Sequence, residues 1–71
     1  MTPEKFNEIQ SALSYDNPEM ARQIGKSERL VDYIRAGERR ITPQTSQAVK
    51  DALARKIVEL KILQKSLAKV R

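Results

Sequence analysis

The stretch DNPEMARQIGKSERLVDYIRAG, residues 16–37, decides how this chain folds. Its apolar residues recur every three or four positions, which is the period of an amphipathic helix and not of a strand. Asp16 and Ser27 stand where a side-chain oxygen can cap the start of a helix. Gly25 and Gly37 stand where a residue with positive φ can close one. The stretch therefore predicts two short helices joined by a tight turn.

The positions where these two helices would meet are small or apolar. Ala21, four residues before the turn glycine, allows the helices to cross steeply and closely. Val31 and Ile34 would hold the second helix down from one side only. Its other side is then free to enter a DNA major groove, which is about 12 Å wide. The pattern predicts a helix-turn-helix over about residues 17–36.

The flanking sequence predicts further helices. Thr2 and Thr42 are each followed by proline, which pairs a capping hydroxyl with a proline at the first helical position. Glu19, three residues after the aspartate cap, would complete a capping box. No glycine or proline occurs after position 43, so residues 43–70 form either one long helix or two helices bent near residues 54–56. The predicted fold class is all-α, with four to five helices in a single domain over all 71 residues.

Composition excludes several classes of function. The chain has no cysteine and no histidine, which removes thiolate metal sites and the commonest general base and argues against an enzyme. We expect no cofactor, no metal and no small-molecule substrate. The apolar runs are too short for a membrane span and the N-terminus lacks the pattern of a secretory signal, so we expect a cytoplasmic protein without a membrane partner.

The positive charge is concentrated in one half of the chain. Residues 1–36 contain 5 Lys and Arg against 6 Asp and Glu, whereas residues 37–71 contain 9 against 3. A basic half-chain in a small protein favours a polyanionic partner, and nucleic acid is the usual one.

The residues around the turn resemble the Cro and phage-repressor (XRE-like) family of helix-turn-helix regulators over roughly residues 3–54. Those that carry the resemblance are Met20, Ala21, Ile24, Gly25, Val31, Ile34 and Gly37. Lys26 departs from the family, which usually places an apolar residue after the turn glycine. In size and organisation the chain also resembles the anti-CRISPR-associated autoregulators. The resemblance implies a lambda-repressor-like fold and a homodimeric transcriptional repressor that binds an inverted repeat in double-stranded DNA.

The resemblance also implies which residues read base edges: Ser27, Glu28, Arg29, Asp32 and Tyr33. Arg29 suits a bidentate bond to guanine O6 and N7, or else pairs with Glu28 or Asp32. Glu28 accepts from a cytosine N4 or holds Arg29 in place. Asp32 would repel phosphate, so it is expected to orient Arg29 or Arg35. Tyr33 contacts a thymine methyl or a phosphate, or packs at the helix edge, and Ser27 is otherwise only a cap.

A second group of residues is expected to contact the DNA backbone without reading sequence. Its members are Asn17, Lys26, Arg35, Arg39, Arg40 and Thr42. Asn17 would donate its amide to a phosphate beside the N–H groups of the helix start. Arg39 and Arg40 lie where the family places basic phosphate contacts, or else form a solvated turn.

The C-terminal helix, about residues 43–70, carries an unusually wide apolar arc. The residues predicted to form a dimer interface are Ile57, Leu60, Leu63, Leu67 and Val70, with lysines on the opposite side. An arc this wide predicts contact with both the protein's own core and a second subunit; the alternative is a helix that lies wholly on its own core. Two other functions stay open: an antitoxin of a toxin–antitoxin pair, and a helical protein-interaction module without DNA binding.

Overall fold

A computed structural model describes residues 1–69, so Val70, one of the predicted interface residues, lies outside the described part of the chain. The helices are α1 (Pro3–Leu13), α2 (Asn17–Ile24), α3 (Glu28–Arg35) and α4 (Pro43–Lys69). Residues 1–69 contain no strand, which confirms the all-α class. The last helix runs without a break for 27 residues. The described fold therefore has four helices, and the division into two helices considered near residues 54–56 does not occur.

Each helix begins at the predicted capping side chain. The oxygens of Thr2, Asp16, Ser27 and Thr42 accept the backbone N–H three residues later, at 2.9 to 3.2 Å. The second half of the predicted capping box does not form. The Glu19 carboxylate instead accepts a hydrogen bond from Gln23 at 3.2 Å and lies 3.5 Å from the Arg22 guanidinium. The Glu19 carboxylate therefore contacts Arg22 and Gln23, one turn later in α2, and does not bond to the N–H of the cap residue Asp16.

The first three helices end in the same backbone motif. In each, a residue with positive φ and the residue after it donate their N–H groups to carbonyls of the last turn, which is a Schellman motif. Gly25 (φ 69°) and Gly37 (φ 77°) occupy the left-handed position after α2 and α3, as predicted. Ser14 (φ 59°) occupies it after α1. The sequence did not indicate this helix end, because serine adopts the left-handed region far less readily than glycine.

Residues from one face of each helix form the core. The buried apolar residues are Phe6, Leu13, Met20, Ala21, Ile24, Val31, Ile34, Val49 and Ala52. Ile9 and Leu30 pack against this cluster while partly exposed. The predicted packing positions Ala21, Val31 and Ile34 all belong to the core, and α4 closes it by packing on α1 and α2.

Only the first half of α4 belongs to this core. Near the end of that half, Arg55 Nη2 donates to the Gln23 carbonyl at 2.8 Å, and the Lys56 ammonium lies 5.7 Å from the centre of the Tyr15 ring. We call α1 to α3 with residues 43–56 the body, and residues 57–69 the extension. The extension projects beyond the body and accounts for the elongated shape of 49 × 20 × 20 Å. Within residues 1–69, no helix combines the length and the apolarity that crossing a membrane requires.

Candidate nucleic-acid interface

The turn between α2 and α3 is closed by two backbone hydrogen bonds. The Gly25 N–H donates to the Arg22 carbonyl at 3.3 Å, and the Lys26 N–H donates to the Ala21 carbonyl at 2.9 Å. Gly25 is exposed, and a Cβ placed on it would meet nothing within 4 Å. Its positive φ, and not crowding, is therefore the reason for glycine at this position. Ala21 is buried, and α2 and α3 pack against each other.

One side of α3 holds the helix on the body and the other faces outward. Val31 and Ile34 are fully buried. The residues predicted to read bases, Ser27, Glu28, Arg29, Asp32 and Tyr33, are all exposed. Because the anchoring residues lie on one side only, α3 presents a nearly unobstructed outer surface, which a groove-binding helix needs.

A shallow hollow of about 200 Å³ lies beside α3. Its lining residues are Ser27, Arg29, Leu30, Tyr33 and Arg39. Arg39 belongs to the loop before α4, so the hollow brings a predicted phosphate-contacting residue together with three predicted base-reading ones. Leu30 is partly buried and Tyr33 is 37% exposed. The lining of the hollow therefore combines two apolar or aromatic side chains with two arginines.

The arginines around the hollow form no ion pairs within the described chain. The ion pairs of residues 1–69 are Lys5–Glu8 and Arg22–Glu19. Arg29 therefore pairs with neither Glu28 nor Asp32, the alternative considered for it. Arg39 and Arg40 are both exposed. Guanidinium groups without a carboxylate partner are available for an anionic ligand such as a phosphate.

Asn17, expected to donate to a phosphate, is the centre of an internal polar network. Its Oδ1 accepts hydrogen bonds from Gln10 Nε2 at 2.8 Å and from Arg35 Nη1 at 3.0 Å. Its Nδ2 donates to Asp32 Oδ1 at 2.5 Å. Asp32 is thus joined to Arg35 through Asn17, and not by the direct contact that the sequence suggested. The network ties the start of α2 to the outer side of α3.

Gln10 is the member of this network that sequence reasoning missed. It is buried, and its Nε2 also donates to the Tyr15 carbonyl at 3.1 Å. The available signal was its position: Gln10 lies four residues after Phe6 and three before Leu13, on the core-facing side of α1. A polar residue on such a side is buried, and a buried amide needs a partner.

The remaining residues that were predicted to contact the DNA backbone lie in the α3–α4 loop and in the turn between α2 and α3. Thr42 caps α4, and its hydroxyl also donates to Thr45 Oγ1 at 3.1 Å. Lys26 is half-buried at the turn. Thr42 therefore has local hydrogen bonds that account for its presence without any ligand.

The predicted dimer residues of the extension are exposed. The exposed fraction is 44% for Ile57, 52% for Leu60, 52% for Leu63 and 72% for Leu67. The alternative of a helix lying wholly on its own core is therefore wrong, because the extension runs past the end of the body. A contiguous exposed apolar surface makes the extension a candidate interaction site.

No family model, curated protein or solved structure is significantly similar to this chain. The function must therefore be inferred from the geometry, charge and exposure of its own residues.

Proposed function

We propose that this protein is a sequence-specific double-stranded DNA-binding protein and acts as a homodimeric transcriptional repressor at an inverted repeat, with its own promoter as the natural target. It belongs, on this proposal, with the XRE-like helix-turn-helix regulators. In this role α3 enters the major groove, and the protein is a binding module and not an enzyme.

The outer side of α3 is the observation that carries the proposal. It is held from behind by Val31 and Ile34, and its exposed surface adjoins the hollow with its two guanidinium groups. Arg29 supplies a bidentate donor for guanine, and Arg39, from the loop before α4, lines the same hollow. This combination of a base-reading donor with a flanking phosphate contact is typical of groove-binding helices.

The division of charge supports separate sources of specificity and affinity. The outer side of α3 combines Arg29 with Glu28 and Asp32 and carries no net excess of positive charge. Arg39 and Arg40, by contrast, lie in the exposed loop before α4. Affinity for DNA comes mainly from neutralising phosphates. We therefore assign specificity to α3 and much of the affinity to the loop.

The exposed extension favours a second candidate, a helical protein-interaction module. Its apolar surface would bind a partner helix, as in an antitoxin that binds its toxin or in a module without DNA binding. The first proposal uses the same surface for a second copy of the chain. Salt dependence separates the DNA-binding protein from the module without DNA binding, because only binding to a polyanion weakens steeply with added salt.

The test is a selection of bound duplexes from random DNA, followed by fluorescence anisotropy on the selected site and on a scrambled duplex at several salt concentrations. We expect preference for the selected site and a linear fall of log affinity with log salt. A repeat of one half-site in inverted orientation is expected in the selected sequences. The absence of salt-sensitive binding to any duplex would refute the proposal and leave the interaction module.

A further inference from the structure

The exposed leucines of the extension continue the side of α4 that packs on the protein's own core. The buried residues on the first half of the helix are Thr45, Val49 and Ala52. At about 100° per residue, these three share an arc of about 80° with the leucines of the extension. Those leucines, which we call the leucine stripe, are Leu60, Leu63 and Leu67. One side of a single helix is thus covered by α1 and α2 over the body and uncovered over the extension.

The body covers this side of α4 only up to residue 56, and we call the edge where the body ends the step. Lys56 and Tyr15, both half-buried, lie at the top of the body where the extension begins. The extension, which bears the leucine stripe, continues past this step for 13 residues, about 20 Å of helix. Any occupant of the stripe must therefore fit beside the helix and above the body.

The charges of the extension indicate what the occupant is. Lys61 and Lys65 lie on the side of the helix opposite the leucine stripe. Lys56 lies on the same arc as the stripe, but its ammonium lies over the Tyr15 ring at the step, and the arc from Leu60 to Leu67 contains no charge. An acidic helix or an anionic membrane surface would favour lysines bordering the apolar surface. An uncharged, repeating leucine surface instead fits an identical surface on a second copy, as an isologous dimer requires.

We propose that two copies pair their extensions antiparallel, with the end of each α4 seated at the step of the other body. This inference rests on the homodimer of the proposed function and adds its orientation. In a parallel pair, the first half of the partner's α4 would enter the space that α1 and α2 already fill, because the leucine stripe and the body lie on the same side of α4. An antiparallel partner instead ends at the step, and its own body lies beyond the end of the first helix.

The spacing of the two bodies agrees with the DNA proposal. With the two-fold axis near residues 63–64, Leu60 of one copy lies opposite Leu67 of the other. The centres of the bodies then stand about 40 Å apart along the helix axis, at 1.5 Å per residue. Half-sites one turn apart on one face of DNA are separated by about 34 Å.

Disulfide trapping tests the orientation cleanly because the chain has no cysteine of its own. Leu60→Cys and Leu67→Cys are prepared separately, one with a mass tag, and are oxidised mildly alone and as an equimolar mixture. In the antiparallel pair, the mixture yields the 60–67 disulfide. Each variant alone stays free, because its two thiols are offset by about 10 Å along the axis, beyond the reach of a disulfide. Ser11→Cys, exposed on α1, controls for random collision.

Two results would overturn the inference, and they are distinguishable. A 60–60 disulfide from Leu60→Cys alone means a parallel pair, which removes the orientation and leaves the homodimer intact. A protein that sediments as a monomer at every concentration removes both the dimer and its orientation. Neither result bears on DNA binding by a single body, which anisotropy measures separately.

Discussion

Gln10 of α1 donates its side-chain amide to Asn17 Oδ1 at the start of α2, with 2.8 Å between nitrogen and oxygen. The same Asn17 oxygen accepts from Arg35 on α3. The half-buried Asn17 amide therefore links three helices and ties the surface proposed to face DNA to the rest of the fold.

Gln10→Ala should lower the free energy of unfolding by about 2–3 kcal/mol. The change leaves the Tyr15 carbonyl without its side-chain donor and opens a cavity beside the core. Urea denaturation followed by circular dichroism measures the effect. Ser11→Ala, on the neighbouring exposed position, should change stability by less than about 0.5 kcal/mol. Equal midpoints for the two variants would mean that the network contributes nothing to stability.

Ser14→Gly should raise the free energy of unfolding by about 0.5–1 kcal/mol. Ser14 has a φ of 59°, a conformation that costs an L-residue with a side chain about 1 kcal/mol or more, and glycine avoids that cost. Gly25→Ala is the converse variant: it should destabilise, although the space around Gly25 is open. Thermal unfolding of both variants checks the signs, and a stabilised Gly25→Ala would contradict the argument.

Arg29→Ala should weaken binding to the selected DNA site by about 1–3 kcal/mol and relax discrimination at one base pair. The reason is the loss of a bidentate donor to a guanine edge. Anisotropy titrations on the selected site and on single-base variants of it measure the change. Lys61→Ala removes the same charge from the far side of the extension and should leave discrimination intact. A loss of equal size on selected and random duplexes would show that Arg29 reads no base.

Arg40→Ala should weaken binding to all sequences alike. Loss of one phosphate contact should reduce the slope of log affinity against log salt by about 1. The measurement is the salt series on selected and scrambled duplexes, again beside Lys61→Ala. An unchanged slope would place Arg40 outside the interface.

Leu60→Glu with Leu63→Glu should convert the dimer to a monomer, because two charges then interrupt the leucine stripe in each copy. Val58→Glu with Ile62→Glu is the matched control. It places the same charges on the opposite side of the extension, where Val58 and Ile62 are 56% and 62% exposed. Sedimentation equilibrium should give the monomer mass for the first pair and the dimer mass for the second. Dimers from both pairs would mean that the leucine stripe is not the interface.

The helix starts and the inner faces could be predicted from sequence because each depends on residues within a few positions of one another. A threonine or aspartate cap bonds to a backbone group three residues away, and an apolar period needs no knowledge of distant elements. The turn glycine was predictable for the same reason, since its role is set by its own φ.

The features that escaped prediction depend on contacts between helices. Gln10, Asn17 and Arg35 meet only because α1, α2 and α3 pack together, and nothing local to any of them indicates the other two. Asn17 was assigned to phosphate from its position at a helix start, where the packed structure gives it internal partners. The continuity of α4 was also undecided, because the absence of a helix breaker permits a long helix without requiring one.

The length of the extension, and not only its apolar surface, matters in the proposed dimer. In an antiparallel pair, residues 57–69 act as a ruler that sets how far apart two α3 helices stand. Adding one heptad to the extension would move the bodies apart by about 10 Å while turning each by only about 20°. That distance corresponds to roughly three base pairs, which would also carry the second half-site about 100° around the duplex, at 10–10.5 base pairs for each turn. The length of α4 therefore selects one spacing of the half-sites, while α3 sets the base preference.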